Sequence, residues 1–263
     1  LLEGRAWVYH GSASGLQDAS AWHAESNQYA ANLGYSVSTA GDVNGDGFSD
    51  VIVGAPYWDE DGENEGKVWV FHGSSSGLNT TPAWTKRSGQ TSALYGYSVS
   101  TAGDVNGDGY ADIILGAPLM NGAVTDEGAT RVYCGSAGGL LGTPSWYGQS
   151  GQAGAWYGNS VSTAGDINGD GYAEALVGAK DYNEVYVDEG KVFLYYGNAS
   201  RGVSLRPRQM RATTDYQVAL LGRSDHPIYF RISIAMWTPF GRVALAPQSE
   251  VKPISKVFNA HDV

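Results

Sequence analysis

The sequence predicts an all-β protein assembled from tandem four-stranded units, and three observations carry that expectation. Segments recur at a fixed spacing of 62 residues through most of the 263-residue chain. The composition suits strands and tight turns, with 37 Gly, 17 Tyr and 8 Trp and without the Leu-, Glu- and Lys-rich periodicity of helices. An acidic run with two glycines, Asp42-Val43-Asn44-Gly45-Asp46-Gly47-Phe48-Ser49-Asp50, returns as Asp104 to Asp112 and as Asp166 to Glu174.

Other columns share that register. Gly4, Gly66, Gly128 and Gly190 open GRAWVYHG, GKVWVFHG, GATRVYCG and GKVFLYYG, while Trp22, Trp84 and Trp146 form a second column and GSASGL, GSSSGL and GSAGGL a third. In the second complete unit, alternation, β-branched and aromatic content and glycine punctuation place strands at about 97–103, 112–116, 130–135 and 145–149. Small Ser, Thr and Ala dominate the first, as needed where inner strands crowd an axis. The second, Asp112-Ile113-Ile114-Leu115, is apolar without alternation, as expected of a strand buried on both faces. Four-stranded units repeated in this way predict the blades of a β-propeller.

Leu33-Gly34, Tyr95-Gly96 and Tyr157-Gly158 precede the acidic loops, and Gly54-Ala55-Pro56 and Gly116-Ala117-Pro118 follow two of them. The combination resembles FG-GAP repeats, the blades of the integrin α-chain propeller and of related bacterial extracellular proteins. The resemblance covers roughly residues 1–199, about three and a quarter repeats, and the third unit departs from it with Gly178-Ala179-Lys180 and with Glu174 ending its loop. It implies an extracellular or secreted binding and adhesion module.

Two strands, two full blades and three further strands fall short of the sixteen strands of even a four-bladed ring. The propeller is therefore expected to be incomplete in one chain, with apolar flanks exposed unless covered, and a homodimer, or else extra strands from the C-terminal region, is the expected means of completing it. Residues 200–263 are expected to form a basic linker, Arg201 to Arg211, and a small β-rich region with strands near 216–221, 229–237 and 242–246 and a turn at 238–241.

The loops carry the chemistry. Positions 1, 3, 5 and 9 offer side-chain oxygens and position 7 a backbone carbonyl, the alternation a chain needs to wrap a hard cation. The expected ligands are Asp42, Asn44, Asp46, Phe48 and Asp50; Asp104, Asn106, Asp108, Tyr110 and Asp112; and Asp166, Asn168, Asp170, Tyr172 and Glu174. All-oxygen ligation in a flexible loop points to calcium, three sites per chain. Helix-flanked calcium loops place an acid at position 12, where this chain has Val53, Leu115 and Val177. The competing reading is that such Asp-Asn-Gly clusters merely make turns.

Charge separates the chain into two parts. Residues 1–200 hold 7 Lys and Arg against 23 Asp and Glu, and residues 201–263 hold 9 against 4. The acidic part disfavours nucleic acid and anionic membranes as partners. No run approaches the roughly 18 apolar residues of a membrane helix, so no membrane span is expected. The single Cys134 cannot form an internal disulfide.

Gly73-Ser74-Ser75-Ser76-Gly77 matches a hydrolase nucleophile pattern, but its column reads Ala13 and Ala137 in place of Ser75, which marks repeat turn chemistry. His10 and His72 share a column with Cys134 and Tyr196 and read as a strand-end packing position. A second acidic series, Glu63 to Glu65, Asp126-Glu127 and Asp188-Glu189, reads as solvated turns. Catalytic and organic-cofactor residues are expected to be none, and the chain is read as no enzyme. The leading expectation is a calcium-binding extracellular module for a protein or glycan ligand. A lectin-like propeller, with aromatics such as Trp58, Tyr147, Trp156 or Tyr186 stacking on sugars, and a non-catalytic accessory part of a secreted hydrolase are the alternatives.

Overall fold

The computed structural model describes residues 3–198 and the short strands at 208–210 and 231–233. The chain runs through β1 (Arg5–Val8), β2 (Gly11–Ser12), β3 (Gly15–Leu16), β4 (Trp22–Glu25), β5 (Ser36–Gly41), β6 (Asp50–Ala55), β7 (Lys67–Phe71) and β8 (Trp84–Arg87). It continues through β9 (Ser98–Gly103), β10 (Asp112–Ala117), β11 (Ala129–Tyr133), β12 (Trp146–Gln149), β13 (Tyr157–Gly165), β14 (Glu174–Ala179), β15 (Lys191–Tyr195), β16 (Arg208–Met210) and β17 (Arg231–Ser233). The described residues contain no helix.

The strands form antiparallel blades in sequence order: β1 with β4, then β5-β6-β7-β8, then β9 to β12, then β13-β14-β15. This is the incomplete propeller that the repeats predict, with two strands, four, four and three. Strand boundaries in the second full blade match the sequence expectation to within about two residues, the usual uncertainty of strand ends. Ile113, Ile114 and Leu115 are fully buried, as the unbroken apolar run requires. The first strand of each blade ends in a register shift, where Gly41, Gly103 and Gly165 donate their N–H to Thr39, Thr101 and Thr163 Oγ1 (3.0, 3.1 and 3.0 Å) and turn the chain into the acidic loop.

Three apolar clusters lie between successive blades. Val68 and Val70 of the first full blade pack with Tyr95, Ile113, Leu115 and Tyr133 of the second. The column tryptophans bridge the same gaps: Trp22 Nε1 donates to Asn79 O (3.0 Å) and Trp84 Nε1 to Leu141 O (3.2 Å). Glutamines in the loops that enter each blade add a paired clamp on backbone 31 residues ahead. Gln90 Oε1 accepts from Asn121 N (2.6 Å) and its Nε2 donates to Asn121 O (3.1 Å), and Gln152 repeats this with Asn183. Among the described residues no blade follows the third, and Val192, equivalent to the fully buried Val68, is 69% exposed, while Tyr196 is 61% exposed.

Beyond residue 198, β16 pairs antiparallel with β17, Arg208 opposite Ser233. The stretch read as a linker thus contains a strand. Pro207 immediately before it argued for a break, yet a proline next to the first strand residue removes no ladder donor. β17 falls inside the strand expected near 229–237. The strands expected near 216–221 and 242–246, and the turn at 238–241, lie outside the described residues.

Candidate metal centres

Each acidic loop connects the first and second strands of a blade, so all three lie at one end, together with the Gly-Ser turns between strands three and four. The loops that join strands two and three, and those that enter each blade, lie at the other end.

In the first loop, position 1 organises the turn. Asp42 Oδ1 accepts from Gly45 N (2.7 Å) and Asp46 N (3.1 Å), and Oδ2 accepts from Gly47 N (2.8 Å). Position 3 folds onto position 5: Asn44 Oδ1 accepts from Asp46 N (3.1 Å) while its Nδ2 donates to Asp46 Oδ2 (2.9 Å). Asp46 Oδ1 accepts from Phe48 N (2.9 Å), fixing the position-7 peptide. The second loop repeats these bonds through Asp104, Asn106, Asp108 and the N–H of Tyr110. The third does so through Asp166, Asn168, Asp170 and the N–H of Tyr172. Glycines at positions 4 and 6 take φ of 73° and 90° in the first loop, the left-handed region this fold-back needs.

Position 9 is turned inward. Asp50 is fully buried; its Oδ2 accepts from Val43 N and its Oδ1 from Gly73 N, both at 2.9 Å. Asp112 does the same with Val105 N and Gly135 N, both at 2.9 Å. Glu174, longer by one methylene, keeps the bond from Ile167 N (2.7 Å), but its Oε1 is buried without a hydrogen-bond partner. The structure therefore brings positions 1, 3 and 5 together and holds position 9 against the neighbouring strand ends. Among the described residues no three His, Cys, Asp or Glu side chains converge as a ligand cluster.

The residues fit a hard cation. Positions 1, 3, 5 and 9 offer side-chain oxygens and position 7 its backbone carbonyl, so the set can ligate through oxygen alone. Burial pushes the Asp112 carboxyl up to about 7, against the pull of the Gly135 and Val105 N–H groups, and burial likewise raises Asp50 and Asp104. A buried carboxyl in that position lacks a compensating charge. The orphaned Glu174 Oε1 is a further acceptor in want of a partner.

A pH dependence follows. A folded pKa raised above the unfolded one stabilises the protein below about pH 4 and is lost as pH rises through about 7. In chelator, the melting temperature is expected to fall between about pH 5 and 8; calcium, which requires the ionised form, is expected to reverse that slope. Thermal melts across this pH range with and without calcium check both signs.

Other expectations resolve as follows. Ser74 Oγ donates to Gly77 O (2.7 Å), Ser12 Oγ to Gly15 O (2.7 Å) and Ser136 Oγ to Gly139 O (2.6 Å), so the hydrolase-like segment is one repeated turn. His72 packs at a strand end and also reaches the loop, its Nδ1 3.3 Å from Asn44 Nδ2. The second acidic series is corrected: Glu65 and Glu127 are buried, not solvated. Glu127 accepts from Gly151 N (3.0 Å) and Gln149 Nε2 (3.1 Å), and Glu65 lies 3.3 Å from Arg87 Nη1. The loop entering the next blade folds over them, with Ser88 and Ser150 Oγ donating to the Glu65 and Glu127 carbonyls (2.7 Å each). Only Glu189 of that column is exposed.

At the opposite end, a repeated tyrosine pair gathers with side chains that depart from the repeat columns. Tyr35 lies against Tyr97 and Tyr57 (ring centroids 4.8 and 6.0 Å), and Tyr97 against Trp156 (6.1 Å). Lys180, in place of the repeat proline, stands 4.0 Å over the Trp156 ring and 3.1 Å from Asp181. Tyr186 is 73% exposed between the exposed Val185 and Val187. Trp58 instead packs on Trp69, and Tyr147 lies beside Arg131.

The family model described as "FG-GAP repeat" matches residues 33–71, 95–133 and 157–195, each span running from the glycine pair through the loop to the third strand. Integrin alpha-5 of Xenopus laevis is 30% identical over 203 residues, 74% of this chain and 19% of the relative. Integrin alpha-PS3 of Drosophila melanogaster is 30% identical over 253 residues, 89% of this chain and 21% of the relative. Human integrin alpha-6 is 32% identical over 151 residues, 57% of this chain and 13% of the relative. The chain spans about a fifth of the length of the first two relatives.

Proposed function

From the premise that the chain is an FG-GAP repeat protein resembling the integrin α-chain propeller, we propose that it is a non-catalytic, calcium-stabilised extracellular binding module. Asp42, Asn44, Asp46, Asp50 and the Phe48 carbonyl, with their counterparts in the other two loops, would hold one calcium each. Each ion supplies the positive charge that the buried position-9 carboxylate lacks and ties the first two strands of its blade together. The blades occupy residues 1–199 in this reading, and residues 200–263 are a separate region.

The observation that carries the binding role is the division of the two ends. Repeated columns build the loop end, whereas at the opposite end Trp156, Lys180 and Tyr186 replace what the other units carry at those positions and share that end with the repeated pair Tyr35 and Tyr97. Exposed aromatics of this kind anchor interfaces and stack on sugar rings alike. A protein ligand is the leading reading, and the exposure of Tyr186 keeps a glycan ligand as the second. Paired screens on a glycan array and on immobilised extracellular proteins, each with Trp156→Ala and Tyr186→Ala, test it. Binding lost in both variants with unchanged melting supports the reading; binding indifferent to them, or turnover of a bound glycan, contradicts it.

Two chains associating through exposed apolar flanks are part of the proposal, Trp7 and Tyr9 on one side and Val192 and Tyr196 on the other. Sedimentation at micromolar concentration is expected to show a dimer, and a monomer that does not associate contradicts it.

A further inference from the structure

The position-3 residue of every loop is an asparagine followed by glycine: Asn44–Gly45, Asn106–Gly107 and Asn168–Gly169. In such a pair the glycine nitrogen can reach the preceding side-chain carbonyl with no Cβ in the way, which makes asparagine chemically labile there. Two bonds that hold the pair recur in all three, and in the first loop His72 Nδ1 also stands 3.3 Å from Asn44 Nδ2. The glycine N–H donates to the position-1 aspartate at 2.7, 2.6 and 2.6 Å, and the asparagine Nδ2 donates to the position-5 aspartate at 2.9, 2.9 and 3.0 Å.

What differs is the cover. Gly107 is buried beneath the ring of Tyr172 from the next blade's loop, which a Cβ at Gly107 would overlap. Asn44 and Gly45 are half-buried. Asn168 and Gly169 are both exposed, and a Cβ on Gly169 would meet no atom within 4 Å. Among the described residues no blade follows the third loop to supply a tyrosine of its own.

We infer that Asn168 is a site of spontaneous deamidation and isoaspartate formation, with Asn44 slower and Asn106 shielded by Tyr172. The Gly169 backbone nitrogen yields its proton to solvent base and attacks Cγ of Asn168. The new N–Cγ bond closes a succinimide, the Cγ–Nδ2 bond breaks, and ammonia leaves with a proton returned from water. Water then opens the ring at one carbonyl to leave aspartate at position 168, or at the other to leave isoaspartate. Both products add a carboxylate to the loop, and the second also routes the backbone through the side chain and lengthens the loop by a methylene. The ranking of sites rests on packing alone, whereas protection of all three by bound calcium rests on the function proposed above.

The test holds the full chain in chelator at mildly alkaline pH beside a sample in excess calcium. Peptide mapping by mass spectrometry follows each site, with isoaspartate distinguished by electron-transfer fragmentation. In chelator, conversion at 168 is expected to run several-fold ahead of 106, with 44 between them. Equal rates at 106 and 168, or conversion at 106 first, overturns the inference. Tyr172→Ala, shown folded by its melting curve, is expected to raise the rate at 106 with 44 as the internal reference, and an unchanged rate at 106 overturns the shielding role. Calcium that leaves every rate unaltered while the ranking persists supports this inference and counts against the calcium sites.

Discussion

Chelation of divalent cations is expected to lower the melting temperature by about 15–30 °C. The size follows from linkage. A site held at about 100 times its dissociation constant contributes about 2.7 kcal/mol, and three such sites contribute about 8 kcal/mol, comparable with the whole stability of an ordinary domain. A bound ion would have a physical task. Without it, each loop is closed by its own amide hydrogen bonds, and the buried Asp50 and Asp112 carry carboxyls that burial disfavours in the charged form. Differential scanning calorimetry with and without EDTA measures the effect, and magnesium in place of calcium is expected to recover only part of it, because octahedral magnesium sheds water reluctantly.

Replacement of Gly116 by alanine is expected to cost about 4 kcal/mol or more, in the range reserved for core overpacking against backbone. A Cβ there would overlap the Gly158 carbonyl oxygen of the third blade, and Ser98 Oγ stands beside it, donating to the same oxygen at 2.8 Å. Gly54 meets Gly96 and Ser36 in the same way one blade earlier. The glycine near the end of the second strand of one blade and the glycine that precedes the first strand of the next are thus one contact, in which two backbones approach with no side chain between them. Gly178→Ala is expected to cost less, since only side chains of its own blade, Ser160 and Asn159, stand near. Gly142, with open space around it, is expected to accept alanine at no loss. Denaturant melts of the three variants read out this order, and equal midpoints for Gly116→Ala and Gly142→Ala would contradict the packing account.

Much of the fold was legible because its information is local and repeated. The 62-residue register located the strands, the acidic loops and the shortage of strands for a ring, and the unbroken Ile113-Ile114-Leu115 run announced a strand with both faces covered. The parts that were not legible are contacts between repeats. Nothing near Glu65 or Glu127 in the sequence says that the loop entering the next blade, some 23 residues on, closes over each of them. The glutamine clamps act on backbone 31 residues away and leave no local pattern at the residues they hold. At the loops, the residue types at positions 1 to 9 could be read, but the inward turn of Asp50 and Asp112 toward Gly73 and Gly135 depends on the third strand arriving beside them. Lys180 stood out as a departure from the repeat, and its role became visible only with Trp156 beneath it.

Calcium in the three loops is proposed to tie together the first two strands of each blade, and calorimetric titration of calcium into the demetallated protein tests this most directly. The account predicts three ions per chain, falling to two in Asp104→Ala with the first and third loops still binding. A heat of dilution alone, or a stoichiometry that the substitution leaves unchanged, would contradict it.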